Sequence, residues 1–154
     1  FDKTVPTLSS VTITSNNSVS TLAKTGDNIT LSITSSEAIQ TPIVSIAGQA
    51  ATETGDNITW SAAYTMAGSD SEGPVSLNIG FSDLAGNPGS AVTSTSNGSA
   101  VRFDKTVPTL SSVTITSNNS VSTLAKTGDN ITLSITSSET IQTPIVSIPG
   151  QAST

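Results

Sequence analysis

The feature that most constrains this chain is its self-similarity. The segment Phe1-Asp2-Lys3-Thr4-Val5-Pro6-Thr7-Leu8 returns as Phe103-Asp104-Lys105-Thr106-Val107-Pro108-Thr109-Leu110, and the copy continues to the last residue at an offset of 102. A fixed period means a repeated structural unit. Only Ala38 against Thr140, Ala47 against Pro149 and Ala51 against Ser153 differ, all small residues whose exchange on a loop or a strand end is expected to cost little. A period this long exceeds a solenoid unit and suits a domain that folds by itself, so a row of beads is expected. Proline fixes φ and extends the residue before it, which makes Val107-Pro108 the predicted stiff joint. On that phase residues 1–4 end a preceding repeat, residues 5–103 form a complete one, and residues 104–154 are a linker and the front half of the next. Half a sandwich leaves an apolar face open. Residues 104–154 are therefore expected to be completed by further residues or by another chain.

Composition narrows the function. Ser and Thr supply about a third of the 154 residues, charged residues are 10% and aromatics 3%. Neither high charge nor Pro/Gly excess is present, so a folded domain with a thin core and a hydroxyl-covered surface is expected rather than disorder. A net charge of −6 argues against nucleic acid and anionic membrane as partners, while divalent cations remain compatible with it. The chain has no cysteine and no histidine. Disulfides, thiolate nucleophiles and the commonest general base and metal ligand are thereby excluded, and an enzyme is not expected. No apolar run reaches the length of a membrane helix.

Alternation of apolar and polar residues marks half-buried strands. It is found in Val11-Thr12-Ile13-Thr14, in Ile29-Thr30-Leu31-Ser32-Ile33-Thr34 and in Val75-Ser76-Leu77-Asn78-Ile79-Gly80-Phe81. Further strands are predicted at residues 43–46, at 49–53 leading into the turn Thr54-Gly55-Asp56-Asn57, at 58–64, and at Val101 and Phe103. About seven short strands with turns every ten or so residues predict an all-β, immunoglobulin-like β-sandwich, repeated in tandem. Its expected core is Val11, Ile13, Ile29, Leu31, Ile33, Ile43, Ile46, Trp60, Ala62, Tyr64, Val75, Leu77, Ile79 and Phe81.

Four stretches carry a family resemblance. They are Asp104-Lys105-Thr106-Val107-Pro108-Thr109-Leu110 at the joint, Thr25-Gly26-Asp27-Asn28-Ile29-Thr30-Leu31, Ser36-Glu37-Ala38-Ile39, and Phe81-Ser82-Asp83-Leu84-Ala85-Gly86-Asn87. With these the chain resembles the bacterial immunoglobulin-like repeats of very large surface adhesins and biofilm-associated proteins. The resemblance covers the full period and implies a secreted or cell-surface location. It also implies a stalk that holds a terminal binding domain away from the cell, with calcium ions stiffening the joints.

The carboxylates suited to calcium are Asp104 in the joint, Asp83 with Asn87 after the Phe81 strand, and Glu37 after the Ile33 strand; in a sandwich the last two loops emerge at one end. Calcium takes six to eight oxygens from such groups. The plainer reading is that Asp83 and Asn87 cap a tight turn with Gly86 at positive φ, and that Glu37 is a solvated loop charge. Asp27 and Asp56 read as turn residues before strands, and Asp70 with Glu72 as a solvated acidic loop. A glycosidase pair would need a cleft and a tuned acid, which nothing in the sequence indicates. Asn-x-Ser/Thr sequons stand at Asn16, Asn28, Asn57, Asn97, Asn118 and Asn130.

The expected role is a spacer in contact with neighbouring repeats of the same chain. The alternative is a fibre in which strands from other copies complete the sandwich. A lectin-like or ice-binding module finds less support, since no aromatic cluster or flat threonine ladder stands out.

Overall fold

The computed structural model describes residues 2–148 and 151–152, and divides the chain into two compact units, Phe1–Lys105 and Thr106–Thr154. The division falls two residues beyond Phe103, and hydrogen bonds explain why. Lys105 Nζ donates to the carbonyls of Gly68 and Asp70, and its main-chain N–H donates to Glu72 Oε1. The acidic loop thus holds the end of the joint against the first unit.

The described residues are all-β, without a helix long and apolar enough to cross a membrane. The first unit contains β1 (Leu8–Ser15), β2 (Leu22–Ala23), β3 (Asn28–Ser35), β4 (Ile43–Ile46), β5 (Gln49–Ala50), β6 (Thr52–Gly55), β7 (Thr59–Thr65), β8 (Gly73–Pro74), β9 (Leu77–Gly80) and β10 (Arg102–Phe103). A four-stranded sheet in the order β1-β3-β7-β6 shares one core with two three-stranded sheets, β5-β4-β9 and β2-β10-β8, which gives a sandwich-like layering. Alternation explains the large sheet: Val11 and Ile13 of β1, Ile29, Leu31 and Ile33 of β3, and Trp60 and Ala62 of β7 point inward, with hydroxyls between them. Gly55 lies opposite Trp60, whose ring comes within 2.6 Å of where a Cβ would stand, so the tip of the β6–β7 hairpin has room only for glycine.

The core differs from expectation at one strand. Ile43 is 82% exposed, while Val44 and Ile46 are buried. A period of two cannot bury residues 43 and 46 together, and buried Pro42 puts 42, 44 and 46 on the inner face. Tyr64 and Val75 are half-buried against the core, whereas Ala23, Ile39, Met66, Val101 and Phe103 belong to it fully.

The β4–β5 connection changes the reading of one repeat difference. Ala47 and Gly48 form its two-residue turn with φ of 54° and 78°, and Ala47 N–H donates to Ser76 O at 2.8 Å. Proline can adopt neither that φ nor that donor role, so exchanging alanine for proline here is not cheap. Ala47→Pro should destabilise the first unit by about 2 kcal/mol, read from urea unfolding. A change below about 0.5 kcal/mol would mean that the hairpin is rebuilt around a different turn. Pro149, the counterpart of Ala47, lies outside the described residues.

The second unit contains β11 (Leu110–Ser117), β12 (Ile131–Ser137), β13 (Ser147–Ile148) and β14 (Gln151–Ala152). Every pair in the β11–β12 register, including the irregularity near its start, stands 102 residues after its counterpart in β1–β3.

Candidate metal site

One end of the first unit gathers three acids from distant parts of the chain. One carboxylate oxygen from each of Asp2, Glu37 and Asp83 lies within 4.8 Å of the other two. Ser35, at the end of β3, donates its hydroxyl to Glu37 O and so shapes the loop that follows. Asp83 bridges to Ile39, and Gln40 N–H donates to Ser82 O, which ties the two loops together.

Asp83 is 1% exposed and held by its own turn. Asn87 donates its main-chain N–H to Asp83 Oδ1 at 2.7 Å and its side-chain Nδ2 to Oδ2 at 2.6 Å, and Gly86 turns the chain at φ 93°. The Asn87 amide, aided by main-chain donors and opposed by burial, holds the Asp83 carboxyl below the usual aspartate range. Asn87 also donates to Asp2 O at 3.4 Å. In this geometry Asn87 positions Asp83 and steadies the entering chain, as the turn-cap reading describes.

Glu37 is the unusual member. Its Oε1 is buried without a hydrogen-bond donor, a costly state for a carboxylate. Three carboxylates this close repel one another unless a cation or a proton intervenes. Two ligands of one calcium ion, each 2.3–2.6 Å from it, lie no more than about 4.6–5.2 Å apart, so the spacing and the all-oxygen donor set fit a hard divalent ion.

Asp104 is not in this group. It follows β10, where its N–H donates to Ala23 O at the Asn28 end of β3. Glu37 and Asp83 lie past the Ser35 end, about 23 Å away along the strand. Sequence reasoning missed Asp2, although the period offered the signal, since Asp2 is the residue 102 positions before Asp104 and precedes the same bead as Glu37 and Asp83.

Asp27, Asp56 and Asp70 serve turns. Asp56 Oδ1 accepts from Thr59 N at 2.8 Å in the β6–β7 hairpin. Asp70 is buried and accepts the Tyr64 hydroxyl and Ala67 N–H, rather than standing solvated. Asp27 is buried and accepts from Lys24 N, Lys24 Nζ and Asn17 Nδ2 at 2.9, 2.5 and 2.6 Å. The Lys24 ammonium first, then the Asn17 amide, lower its pKa to about 2. A depressed carboxyl pKa contributes stability that is present above about pH 4 and lost as pH falls toward 2. With Lys24 largely exposed and screened, that contribution is about 1–2 kcal/mol. Asp27→Asn should remove it at pH 7 and show no deficit near pH 2. A deficit independent of pH would assign the effect to packing.

Comparison with protein-family models, curated proteins and solved structures gave no match.

Proposed function

We propose that residues 1–105 form one immunoglobulin-like bead of a tandem array, and that the array is a non-catalytic spacer of an extracellular bacterial surface adhesin or fibre. The observation that carries this reading is the near-identity of the two copies at an offset of 102, matched by the equal registers of β1–β3 and β11–β12. A product that is length tolerates exact duplication. A specialised site usually diverges between copies. Acids that serve turns and the lack of histidine and cysteine support a role without catalysis.

Each bead adds about 35–45 Å to such a stalk, the length of a strand of ten or so residues with its turns. Small-angle scattering from polypeptides of two, three and four periods tests this. The maximum dimension should grow by that increment per period, and growth with the cube root of mass would reject the spacer.

A further inference from the structure

Asn97-Gly98 is the one asparagine–glycine pair in the chain, and it lies between two serines that hold a sheet edge. Residues 96–99 run along the side of β1 that faces away from β3. Val11 N–H donates to Ser96 Oγ at 3.0 Å, Ser96 N–H donates to Val11 O at 2.8 Å, and Ile13 N–H donates to Ser99 Oγ at 3.0 Å. An open strand edge invites pairing with other chains, and this strap covers it. It holds on mainly by hydroxyls rather than by a main-chain ladder.

The turn between the two serines prepares Asn97 for attack by its own main chain. Asn97 Oδ1 accepts the Ser99 N–H at 3.0 Å, and Thr95 Oγ1 donates to Ser99 O at 2.8 Å. The first of these bonds directs the Asn97 side chain forward along the chain, toward the Gly98 nitrogen, and polarises the amide carbonyl there. Gly98 has φ 74°, no side chain to obstruct the approach, and a main-chain N–H without an acceptor among the described residues. Both residues are exposed, so water and hydroxide reach them.

We propose that Asn97 is a site of spontaneous covalent modification, and that its conversion to isoaspartate releases the strap from β1. Hydroxide takes the Gly98 amide proton, the nitrogen bonds to Asn97 Cγ, and the Cγ–Nδ2 bond breaks with loss of ammonia. Water then opens the cyclic imide. Cleavage between Gly98 N and Cγ gives aspartate, whereas cleavage between Gly98 N and the original main-chain carbonyl gives isoaspartate. Aspartate keeps an oxygen for the Ser99 N–H. Isoaspartate inserts a methylene into the main chain, about 1.5 Å of extra path between Ser96 and Ser99. Val11 and Ile13 are two residues apart on β1, a fixed spacing of about 6.8 Å, so the two hydroxyls no longer meet both amides at once. The inference is independent of the spacer role and of calcium.

Ageing the folded 154-residue chain in mildly alkaline buffer, followed by peptide mass mapping and amide hydrogen exchange, tests the site. Residue 97 should convert to aspartate and isoaspartate while Asn16, Asn28 and Asn57, each followed by a larger residue, remain intact. In the isoaspartate fraction the Val11 and Ile13 amides should exchange about tenfold faster, the equivalent of one lost hydrogen bond, with Leu31 in β3 unchanged. An Asn97→Gln chain should keep residue 97 and this protection through the same ageing, because its longer side chain closes a ring slowly. Conversion seen only in urea would overturn the proposal, since the folded turn would then shield Asn97. Unchanged exchange at Val11 and Ile13 after conversion would overturn it too, as would equal loss of protection in the aged Asn97→Gln chain.

Discussion

Phe103→Ala should lower the unfolding free energy of the first unit by about 3–5 kcal/mol, the range for emptying a buried phenylalanine site. Among the described residues Phe103 is the largest fully buried side chain. Its register partners are Ala23 on one side and Gly73 on the other, so neither neighbouring strand supplies a bulky group that could collapse into the space. The loss extends beyond the ring. β2, β10 and β8 are each two residues long, and a sheet of that size persists only while its apolar anchor holds it to the core. Arg102→Ala, one residue away and exposed, should change stability by less than about 0.5 kcal/mol. Denaturant unfolding of the two variants checks the contrast. A loss below about 1 kcal/mol for Phe103→Ala would show that the small sheet contributes little to the core.

Phe103 also shows which parts of the fold the sequence made legible. β3 could be read directly because Ile29, Leu31 and Ile33 repeat the alternation, and β1 carries it over Val11–Thr14, whereas β7 has the run Ala62-Ala63-Tyr64 and of the alternating stretch 75–81 only Leu77–Gly80 forms β9. β2, β8 and β10 are too short to carry a period, and they exist by pairing with one another across long sequence distances. Ile43 was misassigned for a related reason: a four-residue strand of nearly continuous apolar residues leaves two phases open, and only buried Pro42 decides between them. Buried Ile39 and Met66 lie outside strands, where no alternation points inward.

The acidic cluster was half-legible on the same grounds. Glu37 and Asp83 follow strands whose ends were predictable, so their common end of the molecule could be inferred. The joint aspartate was ambiguous because a repeat is cyclic: Asp2 and Asp104 have identical surroundings in sequence, and only the fold shows that the aspartate entering the bead meets the other two. Asp104, leaving it, pairs by its main chain at the opposite end. The cost of Ala47→Pro was hidden too, since a positive φ at alanine has no sequence signature.

If the cluster of Asp2, Glu37 and Asp83 binds calcium, as we propose, the ion should raise the unfolding midpoint of the first unit by about 10–20 °C at a hundredfold excess over its dissociation constant. This follows from about 2.7 kcal/mol of linkage at that excess and about 4–8 °C per kcal/mol for a domain near this size. The cation would offset the mutual repulsion of Asp2, Glu37 and Asp83 and give Glu37 Oε1 the partner that it lacks. Asp83 is an ambiguous probe, because its oxygens also hold Asn87 and its replacement would loosen that turn with or without calcium. Glu37→Gln separates the two roles. It removes one charge from the cluster without touching the Asp83–Asn87 turn, so stability in chelator should be unchanged or slightly higher while the response to calcium is lost. Asp104→Asn, at the far end of the unit, should leave that response intact. Calorimetric scans of the wild type and both variants, in calcium and in chelator, distinguish the outcomes. Equal wild-type midpoints in the two media would reduce the cluster to a turn cap, and a response abolished by Asp104→Asn would move the ion to the opposite end of the bead.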